Sequence, residues 1–115
     1  MSPEDVVRAQ LRAWGSRDVD EIMRHFSTDA VWDNVPIGVA RGYDDIRTAV
    51  EDYLAHLSQM NIEVLNLAVA GNIVLTERVD HFVWDGKPID ARCMGAFEVL
   101  GDKITAWRDY FDRGH

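Results

Sequence analysis

The sequence predicts an α+β fold in which three N-terminal helices pack against a strongly curved, mainly antiparallel sheet. In the first half of the chain, apolar residues recur at the three-and-four spacing of amphipathic helices. From residue 60 onward, long strand-like segments alternate with short turn signals. A curved sheet wrapped against helices forms a cone, and the mouth of a cone is a natural small-molecule pocket. With 115 residues and no linker or repeat, we expect one domain over residues 1–115.

The predicted helices have recognisable starts and ends. Ser2 can cap the first helix, Pro3 suits its first position, and Gly15 ends its apolar pattern. A short second helix is expected over residues 19–26. The third helix is expected to follow Gly42 and to continue with helical spacing as far as Leu57. These three segments would form the helical layer of the fold.

The predicted strands begin with a brief one over residues 30–34, followed by a loop through Pro36 and Gly38. Four longer strands are expected over residues 62–70, 73–84, 88–100 and 103–111. The turn pairs between them are Gly71-Asn72, Asp85-Gly86 and Gly101-Asp102. Such short turns favour antiparallel pairing of successive strands.

Composition narrows the possible partners. The formal net charge of −8 argues against nucleic acid and anionic membranes and favours a neutral or cationic small molecule. No window approaches the roughly 20 apolar residues that cross a bilayer, and the N-terminus has no signal-peptide pattern. Because Cys93 is the single cysteine, no intrachain disulfide can form, and we expect a cytoplasmic protein. No histidine pair or acid cluster has ligand spacing, so we expect neither a metal nor a cofactor.

Chemistry-bearing residues lie on two of the predicted strands. Alternation along residues 73–84 directs Arg78 and Asp80 to one face, together with Val74, Phe82 and Trp84. On the last strand, Asp109 is in phase with Trp107 and Phe111. A buried arginine needs carboxylate partners for its planar set of donors. The sheet could therefore hold two carboxylates on either side of one guanidinium.

Two interpretations of this cluster remain open from the residues themselves. Two acids in an apolar pocket resist double ionisation, so that one can act as an acid and the other as a base. The same residues could equally form a buried ion network that has only a structural role.

Two segments resemble motifs of a known family. The strings LTERVD at residues 75–80 and GDKITAWRDYFD at residues 101–112 are similar to the central motif and the last strand of limonene-1,2-epoxide hydrolases. The resemblance extends from residue 6 to residue 112. It implies a nuclear-transport-factor-2-like cone fold, usually dimeric, and an enzyme that adds water to an epoxide in one step. Carried over by this resemblance, Asp109 would be the base, Asp80 the acid and Arg78 the bridge.

The family also holds the catalytic water with a Tyr and an Asn two residues apart on the early strand. The matching positions here are Trp32 and Asn34. Asn34 fits, because its amide can both donate and accept hydrogen bonds. Trp32 departs from the pattern: an indole N–H only donates, and at the water it would occupy a lone pair that the attack requires. Either Trp32 merely lines the pocket or the water is held differently.

The expected substrate is a small apolar epoxide, because the candidate pocket wall is apolar. The wall residues are Trp32, Val74, Phe82, Trp84, Met94, Trp107 and Phe111. Two rival functions share this fold class: an enzyme like ketosteroid isomerase or polyketide cyclase, and a non-catalytic ligand-binding dimer. The opposite face of the central strand carries Leu75, Val79 and Val83 and is a candidate surface for a homodimer.

Overall fold

A computed structural model describes residues 1–112, which contain three helices and six strands. The last three residues of the predicted domain lie outside this range. The helices are α1 (Pro3–Ser16), α2 (Val19–Met23) and α3 (Tyr43–His56). The strands are β1 (Phe26–Asn34), β2 (Gly38–Arg41), β3 (Leu57–Ala70), β4 (Ile73–Trp84), β5 (Lys87–Leu100) and β6 (Lys103–Phe111).

The strands form a single sheet in the order β2-β1-β6-β5-β4-β3. All neighbouring strands are antiparallel except β1 and β6, which run parallel. The register shifts within β1–β6, β3–β4 and β5–β6, and such irregularities bend strands and increase their twist. The predicted α+β class and the mainly antiparallel sheet are confirmed.

Element boundaries follow the predictions closely in α1, β4 and β6. Ser2 and Asp5 form a reciprocal capping box at the start of α1. The second helix is shorter than predicted: α2 ends at Met23, and Phe26 already begins β1. Ile104 donates its N–H to the carbonyl of His25 at 2.6 Å, so pairing with β6 takes over where the helix was expected to continue.

Two strand boundaries also differ. The edge strand β2 was not predicted, because four residues after a turn give too short an alternating pattern. The strand β3 begins at Leu57 rather than at residue 62, directly after α3. Leu57 is the C-cap of that helix and already has an extended backbone, so the chain enters the sheet without a loop.

The core lies between the helices and one face of the sheet. The fully buried residues Val6, Ile46, Val50, Val74 and Phe97 are part of one apolar cluster. The acidic first turns of α1 and α3 suit the helix dipoles. No helix within residues 1–112 is long and apolar enough to cross a membrane. Beyond the apolar cluster, the face of the sheet that packs against the helices opens into a pocket.

Candidate active site

The centre of the pocket is the guanidinium of Arg78, whose residue is only 1% exposed. Its Nε and Nη2 donate to Asp80 Oδ1 and Oδ2 at 3.2 and 3.0 Å. Its Nη1 and Nη2 donate to Asp109 Oδ1 and Oδ2 at 3.0 and 2.9 Å. Both acids are thus held by paired, charge-assisted hydrogen bonds, which fix their orientation as well as their distance. The structure brings together the three residues that the sequence singled out.

Gly95 explains how residues on β4 and β6 can meet, since β5 lies between these strands. In the register, Gly95 is opposite Thr76 on one side and Asp109 on the other. A Cβ at this position would collide with Arg78 Nη1 and would lie 2.7 Å from Asp109 Oδ1 and 2.9 Å from Thr76 Oγ1. Gly95 therefore provides the space in which the ion network forms. Our sequence reasoning missed it, although a glycine inside a strand is itself a signal of close approach.

Two further side chains complete the surroundings of Arg78. Its Nη1 donates to Thr76 Oγ1 at 3.2 Å, and its Nη2 donates to Cys93 Sγ at 3.3 Å. Burial, together with the nearby charge of Asp109, raises the pKa of the Cys93 thiol to about 12. Such a thiol stays protonated and is a poor nucleophile. Cys93 therefore shapes the pocket wall and is not a reactive group.

The charge state of Arg78 is secured by its partners. Burial favours the neutral form, but the charges and hydrogen bonds of Asp109 and Asp80 outweigh burial and hold the pKa of Arg78 above its ordinary value. The guanidinium is thus a permanent positive charge between two carboxylates.

A cation could in principle be held by Asp80, Cys93 and Asp109, because one ligand atom from each lies within 4.8 Å of the others. The Nη2 of Arg78 already donates to these three side chains. Its positive charge therefore occupies the position that a metal ion would need. This geometry makes the guanidinium the resident cation of the site.

Asp109 has two more neighbours of functional interest. Trp107 Nε1 donates to Asp109 Oδ1 at 2.6 Å. Asn34 is the register partner of Asp109 on the adjacent parallel strand. The amide of Asn34 donates from Nδ2 to the hydroxyl of Tyr53 at 3.2 Å. A carboxylate, an amide and a phenol are therefore grouped at one end of the pocket.

The pocket has a volume of about 470 Å³ and a largely apolar wall. Nine predicted site residues line it, namely Trp32, Asn34, Arg78, Asp80, Phe82, Trp84, Trp107, Asp109 and Phe111. Sequence reasoning missed several wall residues, including Trp14, Ile37, Tyr53, Met60, Ile62 and Ile89. Most of these come from α1, α3 and β3, and their approach to the sheet depends on packing that alternation within a single strand does not reveal.

Two predicted wall residues do not line the pocket. Met94 is 51% exposed, because the buried positions of β5 are Cys93, Gly95, Phe97 and Val99 and strand alternation directs Met94 to the opposite face. Val74 lies on the expected face of β4, but it is fully buried in the apolar cluster beyond the pocket. Both assignments are corrected accordingly.

Comparison with known proteins shows the family of this chain. A family model described as the limonene-1,2-epoxide hydrolase catalytic domain matches residues 1–114. A protein named epoxide hydrolase EphG, from Mycobacterium tuberculosis, is 30% identical over 106 residues, which cover 92% of this chain and 70% of that protein.

Two solved structures are similar to this chain over most of its length. An epoxide hydrolase of the limonene-epoxide-hydrolase type from M. tuberculosis superimposes with a TM-score of 0.86 and 29% identity, covering 96% of this chain and 82% of that one. A protein from Catenulispora acidiphila, with a ketosteroid-isomerase-like fold and bound trimethylamine, matches with a TM-score of 0.87. It is 22% identical, with 98% and 88% of the two chains covered, and shares the fold. On the match across almost its whole length, the chain belongs to the limonene-1,2-epoxide hydrolase family.

Proposed function

We propose that this protein hydrolyses a small apolar epoxide to a vicinal diol in one step. The observation that carries the proposal is the single guanidinium of Arg78, which bridges Asp80 and Asp109 inside an apolar pocket. Family membership and the epoxide hydrolase activity named for the M. tuberculosis relative support the same reaction.

Asp109 is the base in this mechanism. Its carboxylate accepts two hydrogen bonds from Arg78 and one from Trp107, and these three donors hold it in one orientation. A water beside Asp109 gives up one proton to this carboxylate as its oxygen attacks an epoxide carbon. Asn34, the neighbour of Asp109 in the sheet, helps to orient that water.

Asp80 is the acid. It shares the single guanidinium of Arg78 with Asp109, and two acids in one apolar site can divide the roles of general acid and general base. As the epoxide C–O bond breaks, Asp80 gives its proton to the departing oxygen, which becomes the second hydroxyl of the diol. Asp109 ends protonated and Asp80 ionised, so the net charge of the site is unchanged, and exchange with solvent restores the starting state.

No metal ion and no covalent intermediate are required by this scheme. Arg78 supplies the positive charge, and the attacking oxygen comes from water instead of a carboxylate. Apart from the triad, the wall consists mainly of apolar and aromatic side chains such as Phe82, Trp84 and Phe111, which suit a substrate without charge. A cavity of about 470 Å³ is in the range of small-molecule sites.

We also propose that the protein is a cytoplasmic homodimer that pairs through the outer face of the sheet. This face was expected to carry Leu75, Val79 and Val83, and Leu75 is 44% exposed. Met94 and Tyr110, which are 51% and 49% exposed, extend the same face. Exposed apolar area of this kind favours association. Sedimentation equilibrium on the wild type and on Leu75→Asp tests this proposal: a dimer is expected for the first and a monomer for the second.

The function is tested with a panel of cyclic and open-chain epoxides and detection of the diol by mass spectrometry. We expect diol formation by the wild type and none above background for Asp109→Asn. The matched control is Asp90→Asn, the same change at an exposed acid on the outer face, which should leave the rate unchanged. Binding of epoxides without any diol would contradict the proposal and indicate a ligand-binding role.

A further inference from the structure

Tyr53 lies on α3 and lines the pocket that holds the ion network. Its ring lies 5.6 Å from the ring of Trp32 and 5.9 Å from that of Trp84, measured between centroids. These contacts hold the phenol in one orientation. Its Oη accepts a hydrogen bond from Asn34 Nδ2 at 3.2 Å.

The hydroxyl of Tyr53 is close to the acid that we propose as the base. Asn34 and Asp109 are paired on adjacent parallel strands, so the amide that contacts Tyr53 is next to the carboxylate. Burial and the nearby charge of Asp109 raise the pKa of Tyr53 above its ordinary value, although the hydrogen bond from Asn34 opposes the shift. The phenol is therefore neutral at ordinary pH and keeps an acceptor lone pair beside the carboxylate.

Trp32 does not compete for this role. Its indole nitrogen is buried and has no hydrogen-bond partner within residues 1–112. The ring itself stacks on Trp107, with 5.3 Å between centroids. Trp32 thus belongs to the pocket wall, and its N–H does not face the cavity.

The attacking water needs two hydrogen-bond acceptors for its two hydrogens, while a lone pair of its oxygen stays free for the epoxide carbon. Asp109 accepts the hydrogen that is transferred. We propose that Tyr53 Oη accepts the other one, so that this residue of α3 positions the water together with Asp109. Asn34 Nδ2 uses one lone pair of the phenolic oxygen and leaves the second lone pair for the water. This inference rests on the proposed hydrolysis of an epoxide.

The kinetic test is Tyr53→Phe, which removes the oxygen and keeps the ring that packs on Trp32 and Trp84. We expect kcat for diol formation to fall about 10- to 100-fold, because a misplaced nucleophile costs rates of this order. KM should stay within about twofold, since the lost contact is to the water and not to the substrate. Tyr43→Phe, the same change at the start of α3 and outside the pocket lining, is the matched control and should retain wild-type kinetics.

A double-mutant cycle distinguishes a shared water from two independent effects. If Asn34 and Tyr53 hold one water, Asn34→Ala combined with Tyr53→Phe should lose little more activity than the worse single variant. Multiplicative losses would contradict the inference. Equal melting temperatures for the wild type and Tyr53→Phe would exclude a general loss of structure.

A high-resolution crystal structure provides a test of this role that does not depend on turnover. We expect a water within hydrogen-bonding distance of Asp109, Asn34 and Tyr53 Oη in the wild type, and its loss or displacement in Tyr53→Phe. A wild type that opens no epoxide would overturn the proposed function and this role with it. An active wild type with an equally active Tyr53→Phe variant would overturn only the role of Tyr53.

Discussion

The two faces of β4 carry the same charge pattern in opposite surroundings. On the inner face, Arg78 lies between Asp80 and Asp109 and is 1% exposed. On the outer face, His81 lies between Glu63 and Asp90, with contacts of 2.9 and 2.7 Å, and its side chain is 37% exposed. Each cluster places one basic side chain between two acidic ones, and the two centres are only three residues apart.

The difference between the two clusters is the solvent. Around Arg78, every partner is supplied by the protein, and charges interact strongly because the surroundings are poorly polarisable. Around His81, water and salt screen the same attractions. Hydrogen bonds to Glu63 and Asp90 raise the pKa of His81, but this side chain does not line the pocket around Arg78. Burial, and not the charge pattern, makes the inner cluster suitable for proton transfer.

The largest effect is expected for Arg78→Ala. This change leaves two acidic side chains without their shared cation in an apolar pocket, and breaking such buried pairs costs about 3–5 kcal/mol. We expect both a large drop in the free energy of unfolding, measured with denaturant, and the loss of diol formation. An unchanged unfolding curve would mean that the inner cluster is solvated like the outer one.

A smaller effect is expected for Gly95→Ala. The added methyl group would collide with Arg78 Nη1 and crowd Asp109, and overpacking of this kind costs about 1–3 kcal/mol. Because the collision is with the ion network itself, we expect a large loss of turnover even though the free energy of unfolding falls only by this amount. The matched control is Gly38→Ala, where the added carbon meets nothing within 4 Å. Full activity in Gly95→Ala would contradict the requirement for close approach across β5.

The smallest effect is expected for His81→Ala on the outer face. Turnover should be unchanged, and the melting temperature should differ little from the wild type. Because the pKa of His81 is raised in the folded state, its stabilising effect is present below the unfolded value of 6.5 and is lost as the pH rises through the raised value. Melting curves of the wild type and His81→Ala between pH 5 and pH 9 would check this. A difference in melting temperature that appears only at high pH would contradict the prediction.

Strand alternation was sufficient to predict which residues of β4 and β6 share a face. Arg78, Asp80 and Asp109 could therefore be predicted as site residues from the sequence, and so could most of the aromatic residues of the pocket wall. Alternation within one strand does not show which of its two faces lies on the pocket side of the sheet. For this reason Met94 was assigned to the wrong face of β5. The same limit hid Gly95, whose importance depends on the register of three strands.

Residues from the helices were the hardest to predict. Tyr53 fits the apolar spacing of α3 and would serve equally well as a core residue. Only the packing of that helix on the sheet brings its hydroxyl to Asn34. The edge strand β2 was missed for a different reason, since its four residues depend on pairing with β1 and carry little pattern of their own.

The central claim is that the inner cluster activates a water for direct attack on the epoxide. A single-turnover experiment in water enriched in ¹⁸O, with the protein in excess over an epoxide, tests it most directly. Direct attack predicts one labelled oxygen in the diol formed in the first turnover. An unlabelled first-turnover diol would contradict the account, because its new oxygen would then come from a carboxylate of the protein.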